Sequence, residues 1–322
     1  MDFFLQGGGW CYDNVTCKSR LEGNQDGTGP LVSSNKWPKT REVSGIFDLK
    51  DEDWYNANLV FVPYCSSDAH MGDSDHQIDT LGLKHFRGRR MARAAVEELV
   101  GNKPDQEILF GGTSAGGRGS MVLIDFIHDL VHDTTTIRGV HDSGAYQDIQ
   151  PYVSSYTPFG EQCKRAFEMY APPVSEICRE EFTGELWKCI CGEYMLPRVM
   201  TPSQVLIYLY DSYQLSNAVG KSPAHWDPEM CRYVEDLFRP DMEETVADIV
   251  SNPEHVVFAP ACYDHGIMTS SKFQSIKVEG ISAEDQLLTW LSGFKEDVMS
   301  SCAGVNCQET CEHVGVGDDA LC

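Results

Sequence analysis

Three residues have the types, order and surroundings that nucleophilic attack on an ester carbonyl requires. Ser114 lies at the centre of Gly112-Thr113-Ser114-Ala115-Gly116, between an apolar run that predicts a strand and an apolar run that predicts a helix. Asp211 and His265 lie in loops that follow later strand-like runs. A serine hydroxyl becomes a good nucleophile when a base removes its proton and an acid orients that base. The order Ser, Asp, His therefore predicts a triad of Ser114, His265 and Asp211.

Other residues compete for the roles of acid and base. His141 and Asp142 also follow a strand-like run, but that run comes directly after the helix behind Ser114, where a triad acid is less usual. We therefore expect Asp142 to be structural or to line the pocket. Asp264 is adjacent to His265 in sequence, and adjacent side chains rarely point the right way for an Asp–His hydrogen bond. Asp211 is the preferred acid.

An oxyanion that forms at Ser114 needs two or more fixed N–H donors. The N–H group of Ala115, the residue after the nucleophile, is one natural donor. Gly7-Gly8-Gly9 ends the first strand-like run, and a backbone without side chains can approach a substrate closely. The glycine run is therefore a candidate source of the second donor.

Short apolar runs alternate with helical patterns along the chain. This alternation predicts a single α/β domain with a mostly parallel central sheet flanked by helices. The turn around Ser114 and the order Ser, Asp, His make the α/β-hydrolase fold the expected type. Residues 150–200 interrupt the rhythm with four cysteines and no strand pattern, which predicts a cap-like insertion. The predicted strands cover residues 3–5, 58–62, 107–110, 137–140, 205–210 and 255–258, and predicted helices cover about 80–100 and the residues after Ser114.

The net charge of −24 makes nucleic acid an unsuitable partner, because an acidic protein repels phosphate backbones. No run approaches the roughly 18 consecutive apolar residues of a membrane span. The histidines do not fall at zinc-finger offsets from the cysteines, so we expect no metal site.

Thirteen cysteines predict a disulfide-bonded, secreted protein, and their odd number predicts at least one thiol outside these bonds. Several of the cysteines lie in a cysteine-rich C-terminal segment, residues 302–322. Asn14-Val15-Thr16 is a glycosylation acceptor pattern. Met1 is followed by neither a basic start nor an apolar signal core. We therefore expect the true N-terminus, with its signal peptide, to be missing from this sequence.

Further motifs extend from about Phe4 to Cys311. The chain resembles the pectin acetylesterase and Notum carboxylesterase family in all of them. They are Gly7-Gly8-Gly9-Trp10-Cys11 with Cys17 and Ser19-Arg20, Asn56-Ala57-Asn58-Leu59-Val60, Pro63-Tyr64-Cys65-Ser66-Ser67-Asp68, the segment 112–117 around Ser114, Asp142-Ser143-Gly144, Tyr210-Asp211-Ser212-Tyr213-Gln214-Leu215, Phe258-Ala259-Pro260-Ala261-Cys262, and the terminal Cys302, Cys307 and Cys311.

The resemblance implies a secreted serine carboxylesterase without metal or cofactor, and we expect a monomer. It places Ser114, Asp211 and His265 on the family's catalytic positions. The same resemblance puts Gly8, Gly9 and Ala115 on the oxyanion-hole positions. The candidate substrate contacts are Trp10, Tyr64 and Asp142.

The acyl group and its carrier stay open at this point. Gly9 is typical of the acetylesterases, whereas Tyr64-Cys65-Ser66-Ser67-Asp68 and the residues after Asp211 are closer to the Notum branch. The expected substrate is an acylated polysaccharide or a lipidated protein. The alternatives are a Notum-like enzyme that removes palmitoleate from a protein, and a non-catalytic binding protein on a hydrolase scaffold.

Overall fold

A seven-stranded parallel sheet forms the centre of the protein. The computed structural model describes residues 1–22, 31–35, 37–48, 57–75, 78, 82 and 85–315. The described strands are β1 (Asp2–Leu5), β2 (Leu59–Val62), β3 (Glu107–Thr113), β4 (Thr136–Asp142), β5 (Ser203–Leu206), β6 (His255–Ala259), β7 (Lys277–Val278), β8 (Ile281–Ser282) and β9 (Val298–Met299). The sheet order is β2-β1-β3-β4-β5-β6-β9, and β7 and β8 form a separate antiparallel pair.

Helices cover both faces of this sheet. The described α-helices are α1 (Asn14–Glu22), α2 (Gly88–Leu99), α3 (Ala115–Ile127), α4 (Phe159–Tyr170), α5 (Glu176–Glu181), α6 (Gly192–Met195), α7 (Ser212–Val219), α8 (Pro228–Tyr233), α9 (Arg239–Val250), α10 (Lys272–Ser275) and α11 (Ala283–Leu291). A π-helical turn, Val234–Phe238, joins α8 to α9. The mostly parallel sheet with flanking helices confirms the predicted fold class.

The side chains of β1 explain why the sheet is buried on both faces. Phe3 and Leu5 belong to the hydrophobic cluster on one face, and Phe4 belongs to the cluster on the other. Successive strand residues point to opposite faces, so an uninterrupted apolar run suits a strand that is covered on both sides. β1 pairs with both β2 and β3, and its carboxyl end therefore lies inside the sheet.

The strand order determines where a site can form. The chain runs outward from β1 to β2, then returns to the other side of β1 with β3 and continues to β9. In open parallel sheets, ligands bind beside the carboxyl ends of the strands at such a reversal. Gly7–Gly9 follow β1 and Ser114 follows β3, so the glycine run and the serine meet there.

Six predicted strands are present, with shifted ends. The prediction of 205–210 extended too far, because β5 ends at Leu206. Beyond that end, Ile207 N–H still donates to the Phe258 carbonyl and Leu209 N–H to the Pro260 carbonyl. The described helix near 80–100 begins only at Gly88; residues 80, 81, 83 and 84 lie outside the described part, as do Asn56 and residues 316–322.

Residues 150–200 are all described and contain helices but no strand. They hold α4, α5 and α6, cross-linked by the Cys163–Cys191 and Cys178–Cys189 disulfides. Their function as a cap stays a prediction. The other described disulfides are Cys11–Cys17, Cys262–Cys311 and Cys302–Cys307. Cys231 is also disulfide-bonded, and Cys65 is a free thiol. Among the described helices, none is long and apolar enough to cross a membrane.

Gly116 allows α3 to lie directly against the end of β1. A Cβ atom at Gly116 would lie 1.9 Å from the carbonyl oxygen of Leu5, which is a backbone atom with little freedom to move. We expect Gly116→Ala to lower the free energy of unfolding by about 3 kcal/mol, the upper part of the usual cost of overpacking. Chemical denaturation followed by circular dichroism measures this change.

A one-methyl change on the exposed face of α2 provides the control. Ala94 is exposed, and Ala94→Gly should cost about 1 kcal/mol through helix propensity alone. An equal or smaller loss for Gly116→Ala would show that the contact with β1 is not tight.

Candidate active site

Ser114 lies in a strained turn between β3 and α3. Its φ of 58° is uncommon for a residue with a side chain, and its N–H group donates to the Asp142 carbonyl at 2.8 Å. The small residues around it permit this turn, which is the geometry of a nucleophile elbow. The Ser114 hydroxyl lies 3.2 Å from the hydroxyl of Tyr146.

Asp211 and His265 are joined by a direct hydrogen bond. The His265 Nδ1 atom lies 2.7 Å from Asp211 Oδ2, and Asp211 Oδ1 accepts from the N–H group of Gln214 at 2.9 Å. Asp211 therefore caps α7 and orients the imidazole at the same time. No described group hydrogen-bonds the His265 Nε2 atom, so this nitrogen is available to a substrate or nucleophile.

The electrostatic surroundings of His265 favour its protonated form. Burial alone would lower the pKa of His265, but the charge and hydrogen bond of Asp211, with Asp142 and Asp264, outweigh burial and raise the pKa above its usual 6.5. An imidazole that gains a proton during a reaction is stabilised by the same carboxylates.

The alternative acid and base, Asp264 and His141, make different hydrogen bonds. Asp264 accepts from the backbone N–H of His265 at 2.8 Å, and its other oxygen pairs with Lys272. His141 is fully buried and hydrogen-bonds Ser120 and Ser203. Neither Asp264 nor His141 takes the place that the sequence predicted for Asp211 and His265.

The glycine run places backbone rather than side chains beside Ser114. Gly8 and Gly9 have φ values of 136° and 66°, and a Cβ at Gly8 would lie 2.4 Å from Leu31 Cδ1. Within the described residues, no backbone carbonyl accepts from the N–H groups of Gly8, Gly9 or Ala115. These three N–H groups are therefore available to donate hydrogen bonds to an oxyanion.

Tyr64 and Asp142, which the sequence analysis proposed as substrate contacts, lie inside the protein, and that role stays a prediction. Both are fully buried and neither lines the cavity. The Tyr64 hydroxyl donates to the Gly9 carbonyl at 2.9 Å, so it supports the glycine run from behind. Asp142 Oδ2 accepts from the N–H groups of Ile267 and Met268, both at 2.9 Å, and holds the loop after His265.

A cavity of about 690 Å³ opens over Ser114 and His265. Trp10 lines it, and its indole N–H donates to Gln162 at 3.1 Å. Among the described lining residues none is Asp or Glu. Polar lining residues include Thr16, Arg20, Gln162, Ser212, Ser216 and Asn217.

Two neighbours of the nucleophile were missed by the sequence analysis. Tyr146 follows the Asp142-Ser143-Gly144 motif, and Arg118 follows Ser114 by four residues on α3. Both are 2% exposed, and the Arg118 guanidinium lies 4.7 Å from the Tyr146 ring centroid. An arginine among glycines and alanine in the first turn of α3 was the available signal for one of them.

Comparisons with known proteins identify similar sequences along nearly the whole chain. The pectinacetylesterase family profile matches residues 3–312. The chain is 31% identical over 303 residues to the palmitoleoyl-protein carboxylesterase NOTUM of Drosophila melanogaster, covering 89% of this chain and 43% of that protein. Against notum1 of Xenopus laevis the identity is 30%, covering 97% of this chain and 68% of that protein.

The solved structure of the Wnt deacylase Notum from Drosophila has the same fold. It superposes with a TM-score of 0.84 at 28% identity, covering 97% of this chain and 90% of the solved one. The fold, the profile match and the identities lead to one assignment. The chain belongs to the pectinacetylesterase family of carboxylic ester hydrolases.

Proposed function

We propose that this chain hydrolyses carboxylic esters and removes O-linked acyl groups from a polysaccharide or a protein, with Ser114 as nucleophile, His265 as general base and Asp211 as orienting acid. The observation that carries the proposal is the hydrogen bonding and position of His265. Its Nδ1 is held by Asp211 at 2.7 Å, its Nε2 has no partner among the described residues, and it lines the same cavity as Ser114.

The reaction proceeds in two halves. The Ser114 oxygen attacks the ester carbonyl carbon while its proton passes to His265 Nε2, and the N–H groups of Gly8, Gly9 and Ala115 stabilise the oxyanion. The C–O bond to the alcohol then breaks, and His265 returns the proton to the leaving oxygen. Water, deprotonated by His265, attacks the acyl-enzyme in the same way, which releases the acid and restores Ser114.

The lining of the cavity suits an alcohol carrier with many hydroxyl or amide groups. Thr16, Gln162, Ser216 and Asn217 offer hydrogen-bonding groups, and Trp10 offers an aromatic surface. Polar groups placed around an aromatic surface fix the orientation of a polar ligand. This lining favours a sugar chain or a hydroxylated peptide segment as the carrier.

A second candidate is removal of palmitoleate from a protein. The observation that favours it is the identity of 30–31% to palmitoleoyl-protein carboxylesterases. The chain spans 43% of the length of the Drosophila relative, so the activity of that protein is a proposal here. We also propose a secreted location, because five described disulfides suit an oxidising compartment.

Replacement of the nucleophile tests the proposed reaction. Ser114→Ala removes the attacking oxygen, and we expect kcat/KM for p-nitrophenyl acetate to fall by at least about 10³-fold. The matched control is Ser155→Ala, which changes an exposed serine and should leave kcat/KM unchanged. Equal activity of wild type and Ser114→Ala would contradict the proposal. A folded but inactive wild type would instead support the non-catalytic binding protein.

The pH profile tests the roles of His265 and Asp211. His265 acts as a base only when neutral, so kcat/KM should fall as the pH drops through its raised pKa, above 6.5. Asp211→Asn removes the negative charge that stabilises the imidazolium, so the acidic limb should move to lower pH. The remaining kcat/KM should be about 10⁴-fold lower, since the imidazole loses its orienting acid.

The control for the pH profile is Asp236→Asn, which removes an exposed carboxylate and should leave the acidic limb in place. An acidic limb in Asp211→Asn at the wild-type pH, or at higher pH, would show that Asp211 does not set the charge of the base.

A further inference from the structure

Three separate segments of the chain carry the proposed triad, and their relative positions must be fixed for the triad to act. Ser114 lies between β3 and α3, Asp211 is the N-cap of α7, and His265 lies in the loop after β6. Asp142 connects the nucleophile turn to the His265 loop, and the Asp211–His265 hydrogen bond connects that loop to α7. A third connection, between α7 and the surroundings of Ser114, would fix all three segments.

A buried glutamine side chain makes this third connection. Gln214 lies in the first turn of α7, and its side chain reaches the segment that follows β4. Its Oε1 atom accepts from the N–H group of Gln147 at 3.0 Å, and its Nε2 atom donates to the carbonyl of Ala145 at 3.4 Å. One amide group therefore holds the backbone on both sides of Tyr146, whose hydroxyl lies 3.2 Å from that of Ser114.

The same residue holds the proposed acid through its backbone. The N–H group of Gln214 donates to Asp211 Oδ1 at 2.9 Å, whereas the other carboxylate oxygen bonds His265. Tyr213, the preceding residue, stacks its ring on the imidazole of His265, with centroids 5.2 Å apart. A shift of this first turn of α7 would therefore move Asp211 and Tyr213 together, relative to Ser114.

The segment that Gln214 holds is anchored on its far side. The side-chain Nε2 atom of Gln147 donates to the carbonyl of Phe238 at 3.2 Å and to Asp241 Oδ2 at 2.7 Å. Asp241 lies on α9, and Phe238 ends the π-helical turn before it. Gln214 therefore joins α7 to a part of the chain that α9 already holds in place.

The buried position of the amide makes its hydrogen bonds difficult to replace. Gln147 and Ala145 are as buried as Gln214, so the groups left behind after its loss would be shielded from water. A buried N–H group without an acceptor costs free energy, and the surrounding backbone shifts to reduce that cost. A displacement of about 1 Å among reacting groups can lower a rate by about 10²-fold.

We propose that Gln214 is a positioning residue whose side-chain amide fixes Asp211 and His265 relative to Ser114. Gln214 is absent from the described residues that line the cavity, so its side chain acts on the geometry of the triad rather than on substrate binding. The proposal rests on the ester hydrolysis described above.

Replacement of the amide by a thioether tests this role. Gln214→Met keeps the length of the side chain and removes both of its hydrogen bonds. We expect kcat for p-nitrophenyl acetate to fall by at least about 10-fold with KM within about twofold of the wild-type value, because the backbone cap on Asp211 and the cavity lining remain. The rate is expressed per Ser114 labelled to completion by a fluorophosphonate probe, so unfolded molecules do not enter the comparison.

A second buried glutamine provides the matched control. The Nε2 atom of Gln286 donates to the carbonyls of Val257 at 2.8 Å and Glu296 at 2.7 Å, and Gln286 does not line the cavity. Gln286→Met and Gln214→Met should both lower the midpoint of chemical denaturation, but only Gln214→Met should lower kcat per labelled site. An equal fall of kcat in the two variants would overturn the proposal.

Comparison with Ser114→Ala separates this proposal from the proposed function. If hydrolysis depends on Ser114, a folded Gln214→Met variant with the wild-type kcat would overturn the role of Gln214 and leave ester hydrolysis intact. Absence of Ser114-dependent hydrolysis in the wild type would count against both. Should Gln214→Met fail to fold, Gln214→Asn keeps an amide but withdraws it by one methylene. The same fall of kcat at unchanged KM is expected there, and a wild-type kcat would again overturn the proposal.

Discussion

Asp142 connects the nucleophile turn to the histidine loop, and the rest of the site depends on this connection. Its carbonyl accepts from Ser114 N–H at 2.8 Å, and its carboxylate accepts from the N–H groups of Ile267 and Met268. Burial raises the pKa of Asp142, while these hydrogen bonds favour its charged form. A buried carboxylate with satisfied oxygens is costly to displace, so it fixes the serine relative to His265.

A second carboxylate combines two tasks in a similar way. Asp211 caps α7 through the N–H of Gln214 and holds the imidazole of His265 through its other oxygen. The helix cap fixes the carboxylate before any substrate arrives, which keeps the Asp–His hydrogen bond pre-organised. Asp142, the last residue of β4, and Asp211, in the segment between β5 and α7, both hold backbone N–H groups and organise the site at the same time.

The sequence predicted the parts of this arrangement that are local. The strand, turn and helix around Ser114 follow from apolar runs and glycines within about ten residues, and chain order then selects Asp211 and His265. The buried role of Tyr64 could not be predicted, since its partner Gly9 is distant in sequence. For Asp142 the sequence left a structural and a pocket-lining position open, because its partner Met268 is also distant. The two-residue edge strand β9 is too short to produce a periodic pattern.

Charge and shape act at different ranges in this protein. The net charge of −24 repels polyanions from a distance, but salt screens exposed charges beyond about 8–10 Å. Inside the cavity, no described lining residue is acidic, and Arg20 brings a positive group next to Gly9. The acidic surface therefore governs the approach of a substrate rather than its fit. Selection at the site itself depends on contacts at short range with the residues that line the cavity.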